Sequence, residues 1–218
     1  MADKQDTDKI STNGSIKWSC NLAYAVGLIT TDGNLSPDGR HFTFISKDID
    51  LIKTFKRCLS LNNKITPKPS GYSSKMYHEI QFGNVKLYRW LLTIGLMPNK
   101  TKRVSKLDIP DKYFPDFLRG HIDGDGCIRV YQDPIYPNSQ RLYTRFISAS
   151  LPHIIWLRKQ IFLLLKIKGY ITDHIRGVFE LNYAKNESKI LLNAIYYNKF
   201  VPCLRRKRKI AKSFLLSK

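Results

Sequence analysis

The segment FLRGHIDGDGCIRV, residues 117 to 130, places three glycines and two aspartates within seven consecutive positions. The chain around it is basic, with 37 Lys and Arg against 17 Asp and Glu in 218 residues. Acid at one point of such a chain allows three interpretations: a turn, a calcium loop, or a catalytic carboxylate at the end of a helix. The calcium loop fails on spacing, because an EF-hand requires an acid or amide at Cys127, glycine at Ile128 and glutamate at Pro134.

A second copy of this segment lies 93 residues earlier in the chain. GLITTDG at 27–33 aligns with GHIDGDG at 120–126, which pairs Asp32 with Asp125 and weakens a pure turn role for both. Asp123 is matched by Thr30, so a helix-end or turn role is favoured for it over that of a second ligand. FIS at 44–46 recurs at 146–148, and EIQF at 79–82 recurs as ELNY at 180–183. Such a repeat indicates a tandem duplication.

Hydrophobic periodicity predicts the same α-β-β-α-β-β-α unit in both copies, and therefore an α+β fold with antiparallel sheets. Helices are predicted at 22–33, 47–61, 84–96, 116–126, 152–169 and 186–198. Strands are predicted at 40–46, 75–82, 127–131, 141–148, 170–175 and 178–183, with hairpin turns at 36–39 and 133–140. The expected organisation is a flexible N-terminus (1–15), a first repeat (16–99), a linker (100–115) and a second repeat (116–218).

The bulk composition restricts the class of partner. A formal charge of +20 favours a polyanion, with nucleic acid first and a membrane surface second. A membrane surface would call for a basic amphipathic helix or a lipidation signal, and neither stands out. No apolar run of membrane-spanning length and no apolar leader is found, so an intracellular, non-secreted protein of the cytoplasm, nucleoid or organelle matrix is expected. The four cysteines are far apart, which favours reduced thiols: Cys20, Cys58, Cys127 and Cys203.

Small residues line one side of the first helix of each copy, namely Ala23 and Gly27, then Gly120 and Gly124. They would allow the two helices to approach closely and bring the terminal aspartates together. Two carboxylates at close range repel each other unless a divalent cation lies beside them. Magnesium is the natural cation when phosphate is the substrate, so Asp32 and Asp125 are the predicted metal ligands.

AYAVGLITTDG (23–33) and FLRGHIDGDG (117–126) resemble the two signature motifs of the LAGLIDADG homing endonucleases, in the single-chain, two-repeat, monomeric form. The resemblance covers about residues 19 to 216. It implies a saddle of strands over double-stranded DNA, and it makes Asp32 and Asp125 the catalytic, metal-binding carboxylates. It also implies magnesium-dependent cleavage of long asymmetric sites with short 3′ overhangs. Manganese is expected to substitute, and calcium to bind without efficient cleavage.

The resemblance implies further catalytic residues. The family places a basic residue after the last helix of each repeat. CLRRKRKIAKSFL (203–215) offers Lys207, whereas the first repeat leaves Lys100 and Lys102 as open alternatives. A polar residue that orders water often follows the second strand of each repeat. Lys47 takes this position in the first repeat, but Ala149 takes it in the second, so unequal cleavage of the two DNA strands is expected.

Alternation along the strands separates a core face from a DNA face. Phe42, Phe44, Ile128, Val130 and Phe146 are predicted to point inward. The opposite face carries side-chain types that read base edges in a major groove. The predicted DNA-binding residues are Ser36, His41, Thr43, Lys75, Tyr77, Gln81, Arg129, Tyr131, Arg141, Tyr143, Arg145 and Asn182.

The sequence therefore predicts a monomeric, site-specific, magnesium-dependent DNA endonuclease with no membrane partner. The alternative is a binding protein on the same scaffold, either a maturase that binds group I intron RNA or a DNA-binding regulator that does not cleave. A ribosomal or general RNA-binding protein would explain the charge but not the duplicated acid-tipped helices.

Overall fold

The computed structural model describes residues 15–69, 75–174 and 177–216. Its first half consists of α1 (Cys20–Thr31), β1 (Gly33–Leu35), β2 (His41–Ser46), α2 (Ile49–Cys58), β3 (Ile65–Pro69), β4 (Met76–Gly83) and α3 (Val85–Thr93). Two short 3₁₀ turns, Lys100–Lys102 and Asp111–Tyr113, join it to the second half. The second half consists of α4 (Phe114–Asp125), β5 (Cys127–Gln132), β6 (Gln140–Ser148), α5 (Leu151–Leu165), β7 (Tyr170–His174), β8 (Val178–Tyr183), α6 (Lys185–Ile195) and α7 (Arg205–Leu216).

Each half forms a four-stranded antiparallel sheet with the same strand order, β1-β2-β4-β3 in the first and β5-β6-β8-β7 in the second. The predicted α+β fold with a repeated α-β-β-α-β-β-α unit is confirmed. The expected N-terminal segment falls almost entirely outside the described residues, as does Ile175 at the end of one predicted strand.

Three elements were not predicted from the sequence. β1 has three residues, too few to show an alternating pattern. β3 contains Pro67 and Pro69, and it lies at the edge of its sheet, where a missing amide proton costs little. The basic segment 205–209, which supplies the candidate Lys207 but had no predicted secondary structure, opens helix α7.

The core lies on one side of each sheet, beneath helices. Phe55 of α2 stacks on Phe44 of β2 with ring centroids 4.4 Å apart. In the second half, Trp156 of α5 packs against Phe117 of α4 at 5.9 Å. Of the five side chains predicted to point inward, four are buried and Val130 packs against the core. The polar face of each sheet is thereby left uncovered by these helices.

α1 and α4 are in backbone contact along a seam of glycines. A Cβ atom added to Gly27 would lie 2.7 Å from the amide nitrogen of His121 and 2.9 Å from the Cα of Gly120. α1 is buried all round from Leu22 to Thr30, which is the pattern of a central helix rather than a surface one. The small residues therefore act as predicted, by allowing the two helices to run side by side.

None of the helices in the described part of the chain is long and apolar enough to span a bilayer.

Candidate active site

Asp32 and Asp125 meet at the ends of the two central helices. Asp32 is the C-cap of α1, with its amide donating to the Leu28 carbonyl at 3.0 Å, and Asp125 is the last residue of α4. The two carboxyl groups lie close enough for the charge of Asp125 to raise the pKa of Asp32, and a Cβ atom added to Gly124, next to Asp125, would lie 3.2 Å from Asp32 Oδ2. Each half of the molecule thus contributes one acid to a single pair.

The environment of this pair disfavours ionisation of both acids at once. Burial and, next, the charge of Asp125 raise the pKa of Asp32 to about 7. Asp125 stays accessible to solvent, but the protein atoms around it displace enough water to raise its pKa as well. Lys100 and Lys207 act in the opposite direction on both acids. A divalent cation would relieve the same repulsion that protonation of one acid relieves.

Lys207 closes the C-terminal end of α4. Its Nζ donates to the carbonyl oxygens of Ile122 at 2.5 Å, Asp123 at 3.1 Å, Gly124 at 3.2 Å and Gly126 at 2.7 Å. These carbonyls carry the negative end of the helix dipole and need a donor. The side chain is buried, and burial lowers the pKa of its ammonium group.

Lys100 does the same for α1. Its Nζ donates to the Thr31 carbonyl at 3.3 Å and to the Gly33 carbonyl. The repeat offset of 93 aligns positions 31 and 33 with positions 124 and 126, whose carbonyls Lys207 contacts. Lys100 is therefore the spatial counterpart of Lys207. Burial lowers the pKa of Lys100 to about 8. Lys102, the other sequence candidate, is exposed on the same 3₁₀ turn, and the described part of the chain gives it no hydrogen bond to the acids.

Asp123 lies in the last turn of α4 and is turned away from the acid pair toward other elements. Its Oδ2 accepts hydrogen bonds from the Tyr24 hydroxyl at 2.8 Å and from the Leu204 amide at 2.7 Å. Burial raises its pKa to about 6. Asp123 therefore ties α1, α4 and the start of α7 together, and it is not part of the acid pair.

The positions after the second strand differ between the halves. Lys47 is exposed, and its Nζ lies 5.5 Å from the ring centroid of Tyr77 on the polar face of the sheet. Ala149 instead lines a cavity of about 50 Å³ together with Thr30, Asp125 and His153. Lys47 therefore lies against Tyr77, whereas Ala149 lies in a cavity that Asp125 also lines.

The polar faces carry most of the predicted DNA-binding residues at accessible positions. His41, Lys75, Gln81 and Arg129 are exposed, and Ser36, Thr43, Tyr77, Tyr131, Arg141, Tyr143 and Arg145 are half-buried. Asn182 lies opposite Arg145 in the strand register, but it is only 2% exposed and donates to Thr172 Oγ1 at 3.0 Å. Asn182 therefore supports the face from below rather than projecting from it.

Several of the basic side chains on these faces are held by acids. Arg145 donates to Glu180 at 3.3 Å, and Arg141 makes two bonds to Asp133, at 2.6 and 3.2 Å. Asp133 also accepts from the Ile135 amide, so Arg141 braces the turn between β5 and β6. Such contacts fix the orientation of an arginine before any ligand arrives.

Sequence reasoning missed a second set of residues on the same faces. Asn34 of β1 pairs with Thr43, Lys68 of β3 pairs with Tyr77, and Tyr170 of β7 pairs with Asn182. Glu79 and Glu180 also lie there, and their equivalence was visible in the repeated EIQF and ELNY segments. The strands β1 and β3 gave no comparable signal.

The donor set can be tested against a divalent cation. No group of three or more His, Cys, Asp or Glu side chains is found among residues 15–69, 75–174 and 177–216. The protein therefore supplies two carboxylates from Asp32 and Asp125. Magnesium in phosphate-processing sites is commonly held by one or two carboxylates, with the remaining positions filled by water and substrate phosphate, and the pair fits that pattern.

Solved structures with the same fold include homing endonucleases. The chain is similar to the homing endonuclease I-WcaI bound to its DNA recognition sequence, with a TM-score of 0.63 and 11% identity over 97% of this chain and 89% of that chain. It is similar to the LAGLIDADG homing endonuclease I-LtrWI bound to target DNA, with a TM-score of 0.55 and 14% identity over 90% of this chain and 89% of that chain.

A further structure with this fold is the N-terminal LAGLIDADG domain of DUF199/WhiA, with a TM-score of 0.56 and 17% identity over 87% of this chain and 88% of that chain. No protein-family model matches the sequence, and no curated protein matches it. The comparisons establish the LAGLIDADG homing-endonuclease-like fold for this chain, and identities this low carry the fold alone.

Proposed function

We propose that this protein is a single-chain, two-repeat LAGLIDADG endonuclease that hydrolyses phosphodiester bonds at a long asymmetric site in double-stranded DNA. One observation carries the proposal: Asp32 and Asp125, one from each repeat, meet at the ends of the two central helices, where burial raises the pKa of both. A purely structural pair of acids would have no reason to sit where both pKa values are raised, because each carboxylate then costs stability at neutral pH.

Duplex DNA is the substrate that the polar faces suit. They present arginine, lysine, tyrosine, glutamine and histidine side chains on antiparallel strands, and a two-stranded ribbon fits the major groove. The net charge of +20 supports binding to the phosphate backbone. The solved relatives I-WcaI and I-LtrWI were determined with their DNA targets, which supports the same use of this fold here.

Magnesium is the proposed cofactor, with manganese as a substitute. When bound, such a cation activates water and neutralises charge on the scissile phosphate. Asp32 and Asp125 would hold it. Lys100 and Lys207 fix the helix ends from which these acids project, and their positive charges favour ionised carboxylates and approaching phosphates.

A DNA-binding protein that does not cleave is the second candidate. The observation that favours it is Ala149, an apolar side chain in the cavity that Asp125 lines, where the family resemblance implies a polar residue that orders water. On this alternative the polar faces still bind duplex DNA, and the acid pair has no catalytic role. The intron RNA maturase remains a further variant of this alternative.

Selection from a randomised duplex library separates these candidates. Incubation with magnesium should release a defined set of cleaved sequences with 3′ overhangs, and Asp125→Asn should release none. Asp111→Asn, which removes the same charge from an exposed acid outside the site, is the matched control and should cleave normally. Enrichment of bound but uncut sequences by the unaltered protein would favour the non-cleaving alternative.

A further inference from the structure

A second basic surface lies away from the polar faces of the sheets. It is a cleft of about 1010 Å³ between α2 and the segment that leads from α6 into α7. α2 covers the core face of the first sheet through Phe55 and Phe44, so the cleft and the polar face lie on opposite sides of that sheet. Asn21, near the start of α1, also lines the cleft, whereas Asp32 lies about 16 Å away at the other end of that helix.

The cleft concentrates positive charge. Two turns of α2 contribute Lys53 and Arg57, and successive turns of α7 contribute Arg205, Lys209 and Lys212 on the facing wall. Asp50 is the one acid among the lining residues that the structure describes. In the described ranges, none of these five cations, nor Lys199 at the rim, forms an ion pair. Unpaired like charges at this spacing destabilise the fold unless a polyanion binds.

An aromatic ring stands at the rim of the cleft. Phe200 is 77% exposed, and the Nζ of Lys199 lies 4.9 Å from its ring centroid. The loop that carries it is fixed, because Arg208 donates to the carbonyls of Asn198 at 2.8 Å and Lys199 at 2.7 Å. The Asn198 side chain in turn accepts from the Phe200 amide at 3.0 Å. A held, exposed ring beside cations is the arrangement on which an unpaired base stacks.

We infer that this cleft binds an unpaired nucleic-acid strand, with its phosphates between α2 and α7 and one base stacked on Phe200. A duplex is disfavoured because its bases are already stacked and offer no free face to the ring. An acidic polypeptide would satisfy the charges but has no planar group that requires Phe200. The inference does not rest on cleavage or on the acid pair.

The test measures binding of labelled oligouridine, oligothymidine and a random-sequence duplex to the full chain. The combined variant Lys53→Ala, Lys209→Ala, Lys212→Ala should weaken binding of the single strand about tenfold or more and make it less salt-dependent. Phe200→Ala should weaken it about tenfold, and Phe200→Trp should restore it. A variant with Lys106, Lys112 and Lys159 changed to alanine loses the same charge elsewhere and should bind the strand as the unaltered protein does.

Competition experiments test whether the strand binds in the cleft. Saturating duplex should leave the labelled strand bound, because the two surfaces are separate. Displacement of the strand by duplex in equal proportion, with no effect of the cleft variants, would assign the strand to the polar faces and overturn the inference.

Polyglutamate is the competitor that tests for an acidic protein. If it displaced the strand as well as unlabelled oligouridine does, and did so equally in Phe200→Ala, the cleft would be assigned to an acidic protein and the inference overturned. A difference between oligouridine and oligothymidine tells whether the strand is RNA or DNA.

Discussion

The acid pair and its lysines form one electrostatic unit. Burial raises the pKa of both carboxyl groups, and the charge of Asp125 raises that of Asp32 further, so the two acids cannot both ionise at low cost. Lys100 and Lys207 offset part of it while their own ammonium groups are occupied by backbone carbonyls. Neither lysine is free to serve as a mobile proton carrier in this arrangement, so their main contribution is to position the acids and set the local charge.

Asp125→Asn should abolish cleavage while leaving duplex binding largely intact. The amide retains the helix end but cannot help hold a cation, and it removes one of two repelling acids. We therefore expect the variant to be at least as stable as the unaltered protein without metal and to lose any magnesium-induced rise in melting temperature. Calorimetry with and without magnesium measures both effects. An unchanged magnesium response in Asp125→Asn would contradict the assignment of the pair as the metal site.

Lys100 and Lys102 can be distinguished by matched substitutions. Lys100→Met leaves the Thr31 and Gly33 carbonyls without their donor and should lower the free energy of unfolding by about 1–3 kcal/mol. It should also slow cleavage of at least one DNA strand. Lys102→Met alters an exposed side chain and should change stability by less than about 0.5 kcal/mol. Urea unfolding and a plasmid nicking assay provide the measurements, and equal effects of the two substitutions would refute the distinction.

At the scale of elements, the crossing of α1 and α4 decides where the acids meet. The helices touch through Gly27 and Gly120, and this close approach brings Asp32 and Asp125 near enough for the charge of Asp125 to raise the pKa of Asp32. Any substitution that separates the backbones therefore affects stability and the acid pair together.

Gly120→Ala should be destabilising by about 1–3 kcal/mol or more, because its Cβ would collide with the backbone of Tyr24. Backbone atoms cannot swing aside, so the helices must move apart. Gly83→Ala is the matched control, since the atoms nearest to its Cβ would be side-chain atoms of Arg40 and His41, at 3.2 and 3.3 Å. Thermal unfolding of the two variants measures the difference. Equal melting temperatures would contradict the prediction and mean that α1 and α4 can move apart at little cost in stability.

A buried histidine pair joins α4 to α5 and predicts acid sensitivity. His121 and His153 approach at 3.2 Å between Nε2 atoms, and His153 Nδ1 donates to the Ser105 carbonyl at 2.8 Å. Burial lowers both pKa values, to about 4 for His153. The unfolded chain binds these protons below about pH 6.5, so each histidine should cost about 2 kcal/mol of stability at pH 5. Between pH 7.5 and 5, the free energy of unfolding of His153→Gln should therefore fall by about 2 kcal/mol less than that of the unaltered protein, as measured by urea unfolding. An equal fall in both proteins would exclude His153 as a source of the acid sensitivity.

The elements differ in how far the sequence predicts them. The repeat offset aligned Asp32 with Asp125, and the small residues of both helices predicted their close packing, because both signals are local and periodic. β3 was missed since its prolines oppose a strand, and only an edge position tolerates them. Lys100 and Lys102 are two residues apart in the same basic segment. Only the folded position of the Thr31 and Gly33 carbonyls distinguishes them, and no local pattern encodes it.

For the molecule as a whole, the charge is arranged as two basic surfaces on opposite sides of a largely apolar core. Acids on the polar faces, such as Glu79 and Glu180, are engaged with neighbouring side chains: Glu79 pairs with Lys68 at 3.2 Å. These acids lower the positive charge of the polar faces and hold neighbouring basic side chains in fixed positions, which favours selective contacts. The cleft, in contrast, has almost no compensating acid. We therefore expect the polar faces to discriminate among sequences and the cleft to bind with little sequence preference.

Duplex binding by the whole protein should depend steeply on salt and should not require a cation that supports cleavage. Each lysine or arginine that neutralises a phosphate releases a counterion, so log K should fall linearly with log salt, with a slope of about −0.9 for each such contact. Calcium offers similar oxygen coordination to magnesium but suits the chemistry poorly, so it should support binding without cutting. Fluorescence anisotropy with the selected duplex across a salt series in calcium measures the slope. Asp32→Asn is the internal control, because it alters the acid pair but no phosphate contact, and it should preserve the slope. A duplex affinity that stayed constant from low to moderate salt would contradict a phosphate-dominated interface and with it the proposed use of the polar faces.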